Sequence, residues 1–71
     1  MHEVSVMQAV REQALVALQH HGGARIVAIN LRIGDLAGVD PESLRLAHAL
    51  VMVGTPAAAS QLQIEVIAPQ W

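Results

Sequence analysis

A histidine in second position sets an imidazole beside the α-amine of the chain, and that pairing can wrap a small transition metal in nitrogen. This chain opens Met1-His2-Glu3. The amine of Met1, the backbone nitrogen of His2 and the imidazole of His2 close fused chelate rings. The backbone nitrogen of Glu3 lies within reach as a fourth donor. Four nitrogens in a plane suit Ni(II) or Cu(II) and do not suit Zn(II), which prefers a tetrahedron. The plain alternative is an unstructured start that carries a histidine by chance. The chelate requires a free α-amine, and its nitrogens shed protons on binding, so affinity should rise with pH. By the general order of metal affinities Cu(II) should bind at least as tightly as Ni(II), which leaves selectivity to supply and to partners.

The other candidate residues point to structure rather than chemistry. His20 and His21 fall at the end of a helical pattern, where a cation complements the helix dipole. His48 lies near an apolar stripe and reads as a packed or half-exposed structural histidine. No histidine is spaced with a serine or second acid for nucleophilic catalysis, and cysteine is absent, so an enzyme has no candidate residues. The glycine-bearing stretch 34–38 lacks the lysine and spacing of a phosphate cradle. Asp35 is then a turn residue and Asp40 a helix cap. Arg32 and Arg45 read as solvated, or as part of a partner-docking surface.

Four elements must position these residues. Residues 4–21 place Met7, Val10, Ala14, Ala17, Leu18 and His21 on one helical face. Ser5 and Gln8 resemble a capping box, so regular helix is expected after Ser5, with residues 1–3 preceding it as a free arm. Gly22-Gly23 closes the helix. Residues 24–33 switch to period two, with Val27, Ile29, Leu31 and Ile33 on one face and Asn30 and Arg32 on the other. Asp40-Pro41-Glu42 announces a second helix: a cap, a proline in the first turn and an acid beside it. It should run to about Val53 on a stripe of Leu44, Ala47, Leu50 and Val51, and stop at Gly54-Thr55-Pro56. A small linker, residues 57–60, leads to a second alternating strand. There Leu62, Ile64, Val66 and Ala68 point inward, Gln61, Gln63 and Glu65 outward, and Pro69 ends it. The expected fold is a small α/β two-layer domain, with two helices packed on one face of a short β-sheet. Two strands are few for a sheet, so another segment or a second copy of the chain is expected to complete it along an open edge.

Composition fits one domain of 71 residues. The apolar fraction is 54% against 14% charged, which favours a globular chain over a disordered one. With one Trp and no Phe or Tyr, the core must come from aliphatic residues. A net charge of −2 and four scattered arginines give no basic patch, and the lone aromatic is Trp71, so nucleic acid is not an expected partner. No apolar run approaches the roughly 20 residues that span a bilayer, and charges interrupt the apolar N-terminal stretch, so neither a membrane nor a signal peptide is expected. The expected compartment is the cytoplasm.

The motifs together resemble a known family. Met1-His2-Glu3, a helix ending His-Gly-Gly, INLRIGDLAGVDPESLRLA, GTPA and LQIEVI are similar to the nickel-incorporation metallochaperones of nickel–iron hydrogenase maturation, HypA/HybF type. The similarity runs over the whole chain and is most specific in the Met-His-Glu start combined with LRIGDLAGVDPESLR. The resemblance implies Ni(II) held at Met1, His2 and Glu3 and passed to a maturation GTPase of the HypB type and on to the hydrogenase large subunit, with urease served in some relatives. In that family a zinc module with two Cys-x-x-Cys pairs follows, and a last strand returns to the first domain. Residues 69–71 fall where that module would begin. The resemblance therefore reads residues 1–71 as the nickel-binding domain alone, with no zinc of its own and with strand exchange in a homodimer as a way to complete the sheet. The alternative is a metal-free module that docks on the GTPase or on a hydrogenase subunit.

Overall fold

A computed structural model describes residues 3–34 and 38–68. Its elements are α1 (Glu3–His21), β1 (Ala28–Gly34), α2 (Pro41–Val51) and β2 (Gln61–Ile67). The predicted order of helix, strand, helix, strand holds.

The second helix forms where its cap chemistry places it. Asp40 has an extended backbone, and its carboxylate accepts the Glu42 amide at 3.2 Å and the Ser43 hydroxyl at 3.0 Å. Its carbonyl accepts the Leu44 amide at 3.0 Å, the first bond of the helix. Regular helix ends at Val51, two residues short of the expected limit, because the chain tightens around Met52 and Gly54 takes a left-handed φ of 76°.

The first helix corrects the expected boundary. It begins at Glu3, so Ser5 is a helical residue and the Ser5/Gln8 pair caps nothing. No proline or glycine obstructs the turn before Ser5, and Glu3 is an acid placed at the positive end of the dipole. Glu3 is therefore the first turn of α1 rather than part of a free arm; the rest of that expectation, at Met1 and His2, lies outside the described residues. Gly22, with φ 67°, ends the helix as predicted.

β1 and β2 pair in parallel, with Ala28 opposite Gln61 and Gly34 opposite Ile67. A parallel pair needs a crossover, and α2 supplies it. Ile29, Leu31 and Ile33 of β1 lie on the same face as Leu62 and Ile64 of β2. That face meets Met7 of α1, Leu44 and Ala47 of α2, and Met52 and Ala57 of the turns, in a single core. Met7, Leu44 and Met52 are fully buried, each contributing roughly 1.5–3 kcal/mol of hydrophobic stabilisation. The small α/β domain is as expected, and its sheet is not closed: among the described residues each strand has only the other as a neighbour.

Four burial expectations change. Leu50 of the predicted α2 stripe is exposed, because the core face of α2 runs through Leu44, Ala47 and His48. Ile26 packs on the core while Val27 is exposed, because the chain before β1 is not yet pleated; the Ile26 amide turns to the Pro56 carbonyl at 2.9 Å. Val66 and Ala68 are exposed, since helical cover gives out toward the end of β2. On α1, Ala17 and His21 of the predicted face are exposed, and Met7 is its one buried residue. The expected loop over residues 34–38 and the Pro69 stop fall wholly or partly outside the described residues.

Candidate metal centre

Of the three proposed ligand residues, Glu3 is described. It occupies the first turn of α1, and the first four amides of an α-helix have no intrahelical acceptor. The Glu3 nitrogen is one of these, so giving it to a metal breaks no bond of the helix. Beside it, Glu3 and Val4 line a shallow groove with Ser43, Leu46, Ala47 and Leu50, so the start of α1 lies alongside α2. Met1 and His2 lie outside the described residues.

The other histidines separate clearly. His20 and His21 form the last turn of α1 and are exposed, the position in which a cation complements the dipole. His48 is 8% exposed and Ser60 7%. Nε2 of His48 lies 2.9 Å from Oγ of Ser60, and that hydroxyl donates to the Ala57 carbonyl at 2.6 Å. A serine has one proton to donate, so Ser60 must accept from His48, which fixes the imidazole as the Nε2–H tautomer. Burial, and secondarily the charge of Arg45, holds the His48 pKa below its ordinary value. The structural reading of His48 holds: its ring is sequestered and its Nε2 engaged. Among the described residues no three His, Asp or Glu side chains come together as a metal cluster.

The sequence reading missed two features. Arg45, expected in solvent, donates to the Leu62 carbonyl at 2.7 Å and ties α2 to β2. The stretch 57–60, expected as a linker, is built into the domain. Ala57 and Ser60 are buried, and Thr55 braces the turn by donating its hydroxyl to the Met52 carbonyl at 2.8 Å and accepting the Ala57 amide at 3.1 Å. A threonine after a helix-stopping glycine is the one signal that hinted at this brace. Arg32 stays in solvent and pairs with Glu65 across the strands at 3.2 Å.

Among the described residues, no helix is long and apolar enough to cross a membrane. The sequence model of the family described as "Hydrogenase/urease nickel incorporation, metallochaperone, hypA" matches residues 1–71. Three relatives carry the name hydrogenase maturation factor HypA. One from Synechococcus sp. is 44% identical over 71 residues, 100% of this chain and 63% of the relative. One from Chloroflexus aurantiacus is 43% identical over 65 residues, 92% of this chain and 57% of the relative. One from Methanopyrus kandleri is 36% identical over 66 residues, 93% of this chain and 46% of the relative. The chain thus spans about half to two-thirds of the length of the curated relatives it matches. The family's description is that of a metallochaperone, not of an enzyme. The chain belongs to the HypA family of hydrogenase/urease nickel-incorporation metallochaperones.

Proposed function

We propose that residues 1–71 are a nickel-binding domain that takes up Ni(II) through the Met1 amine, the His2 amide nitrogen and imidazole, and the Glu3 amide nitrogen. Delivery is to a maturation GTPase of the HypB type and to the hydrogenase large subunit, or to urease, in the cytoplasm. The observation that carries the reading is the helix start at Glu3 directly after Met-His. It leaves the Glu3 amide without a helical acceptor, in the first turn of a surface helix. A bare cation at a helix N-terminus opposes the dipole. Two deprotonated amides, those of His2 and Glu3, cancel the charge of Ni(II), so the bound metal is tolerated there. Ligands at a chain end also exchange one at a time, which suits a protein that must release its cargo. Zinc is not expected on this cysteine-free chain.

The test is a Ni(II) titration followed by NMR, on a chain starting at Met1 and on one carrying an extra residue before it. A planar four-nitrogen site makes nickel diamagnetic, so sharp shifted signals from residues 1–3 at one equivalent are expected, and their loss in the extended chain. His2→Ala should abolish tight binding with an unchanged melting temperature. Stoichiometric nickel retained by His2→Ala would overturn the assignment.

A second reading, a metal-free docking module, has one observation in its favour. Leu46, Leu50 and Val53 stand exposed at helical spacing along and just past α2. It gains if the variant and the extended chain both keep full partner affinity while neither chain form binds nickel. Among the described residues the sheet has two strands, and in our reading another segment or strand exchange with a second copy completes it.

A further inference from the structure

The geometry points to a docking groove beside the start of α1 that takes an amphipathic helix of a partner protein, one with an apolar stripe flanked by lysine or arginine. Leu46, Leu50 and Val53 are 67%, 72% and 72% exposed; Leu46 and Leu50 lie one turn apart on α2, and Val53 follows in the turn after it. Exposed apolar residues along a helix face are what an amphipathic partner helix covers. Val4 of α1, itself exposed, forms the second wall, and Glu3 closes the groove at the same end.

Charge decides the occupant. The groove's helix-start end carries Glu3, with Glu42 one turn before Leu46 and Asp40 at the cap of α2. None of these forms a salt bridge within the described residues, where the ion pair present is Arg32–Glu65. Arg45, the arginine nearest in sequence, is turned away onto the Leu62 carbonyl. An acidic end on an apolar groove selects a cationic amphipathic helix and disfavours an acidic one. The placement rests on the proposed nickel site. A helix seated here would hold its protein against residue 3, where a cargo passed from residues 1–3 must leave.

The test uses the chain with a synthetic amphipathic helical peptide bearing leucines at i, i+4 and i+7 flanked by lysines, and the same peptide with glutamates for lysines. NMR shifts on adding the lysine peptide are expected at Val4, Leu46, Leu50 and Val53, with the glutamate peptide weaker. Leu46→Glu/Leu50→Glu alters exposed positions and should fold normally, yet weaken the lysine peptide by about tenfold or more. Nickel titration of that variant should be unchanged at one equivalent. Shifts elsewhere, equal binding of both peptides, or a dimer of the chain alone that Leu50→Glu abolishes would each overturn the docking proposal. Loss of nickel binding in the native chain, with peptide shifts intact, would instead sink the metal reading.

Discussion

Ser60→Ala isolates the contact that joins α2 to the turn before β2. The serine hydroxyl does two things: it accepts from Nε2 of His48 at 2.9 Å and donates to the Ala57 carbonyl at 2.6 Å. The carbonyl does not become an orphan in the variant, because the Ser60 amide also reaches it at 3.0 Å. The imidazole does, since both residues are buried and no solvent replaces the hydroxyl. One buried polar group left unpaired costs about 1–3 kcal/mol. Total stability for a domain of this length is roughly 4–11 kcal/mol, taking about 0.05–0.15 kcal/mol per residue. The loss is thus a large share of the whole. Thermal melting by circular dichroism should show Tm lower by roughly 5–20 °C, given about 4–8 °C per kcal/mol for so small a domain. His48→Leu combined with Ser60→Ala removes both polar partners and should recover part of the loss, giving a coupling of about 1 kcal/mol in a double-mutant cycle. A Ser60→Ala melting curve superimposable on the parent, or strictly additive single variants, would refute the bond assigned here.

Acid should weaken the fold through the same histidine. The folded state binds its proton less readily than the unfolded one, so stability is intact above the ordinary histidine range near about 6.5 and falls as pH drops from there through the lowered folded value. Denaturant titrations should show this slope flattened in His48→Leu; an unchanged slope would point to other groups. Asp40→Ala should cost about 0.5–2 kcal/mol by removing the α2 cap, while Asp40→Ser should retain most of it, as urea midpoints would reveal. Gly22→Ala forces a side chain into the left-handed region at φ 67° and should lose about 1–2 kcal/mol; stability equal to the parent would mean the helix end can reshape. Arg32→Ala should move Tm little, within about 1 kcal/mol and less in salt, because the pair with Glu65 is mostly in solvent.

The features legible in the sequence were those set by chemistry between neighbours. Asp40-Pro41-Glu42 announced α2 because capping is decided within four residues, and Gly22 announced the end of α1 for the same reason. Alternation revealed both strands, except at Ile26 and Val27 and at the end of β2, where Val66 and Ala68 are exposed. The phase of Ile26 and Val27 is set by a bond to Pro56, thirty positions on, which no local pattern encodes. The Ser5/Gln8 pair misled because a capping signature competes with an equally good helical continuation back to Glu3. Arg45 and Ser60 could not be placed beforehand: each is polar in a segment that local rules assign to solvent, and each finds its partner only once α2 crosses from β1 to β2. At the candidate site, donor chemistry alone was enough to propose Met-His-Glu as ligands, whereas the groove beside Glu3 depends on how the two helices meet.

The unequal anchoring of the two helices has a consequence for how the molecule breathes. α2 sinks three buried residues in eleven positions and is bolted to its surroundings through Arg45 and His48. α1 sinks one in nineteen. Opening free energies follow buried contact, so amides of α2 should exchange with solvent only through the larger openings, while α1 should exchange through smaller excursions. The helix that begins at Glu3 is therefore the looser of the two, able to lift from the core and settle again while α2 stays in place beneath it.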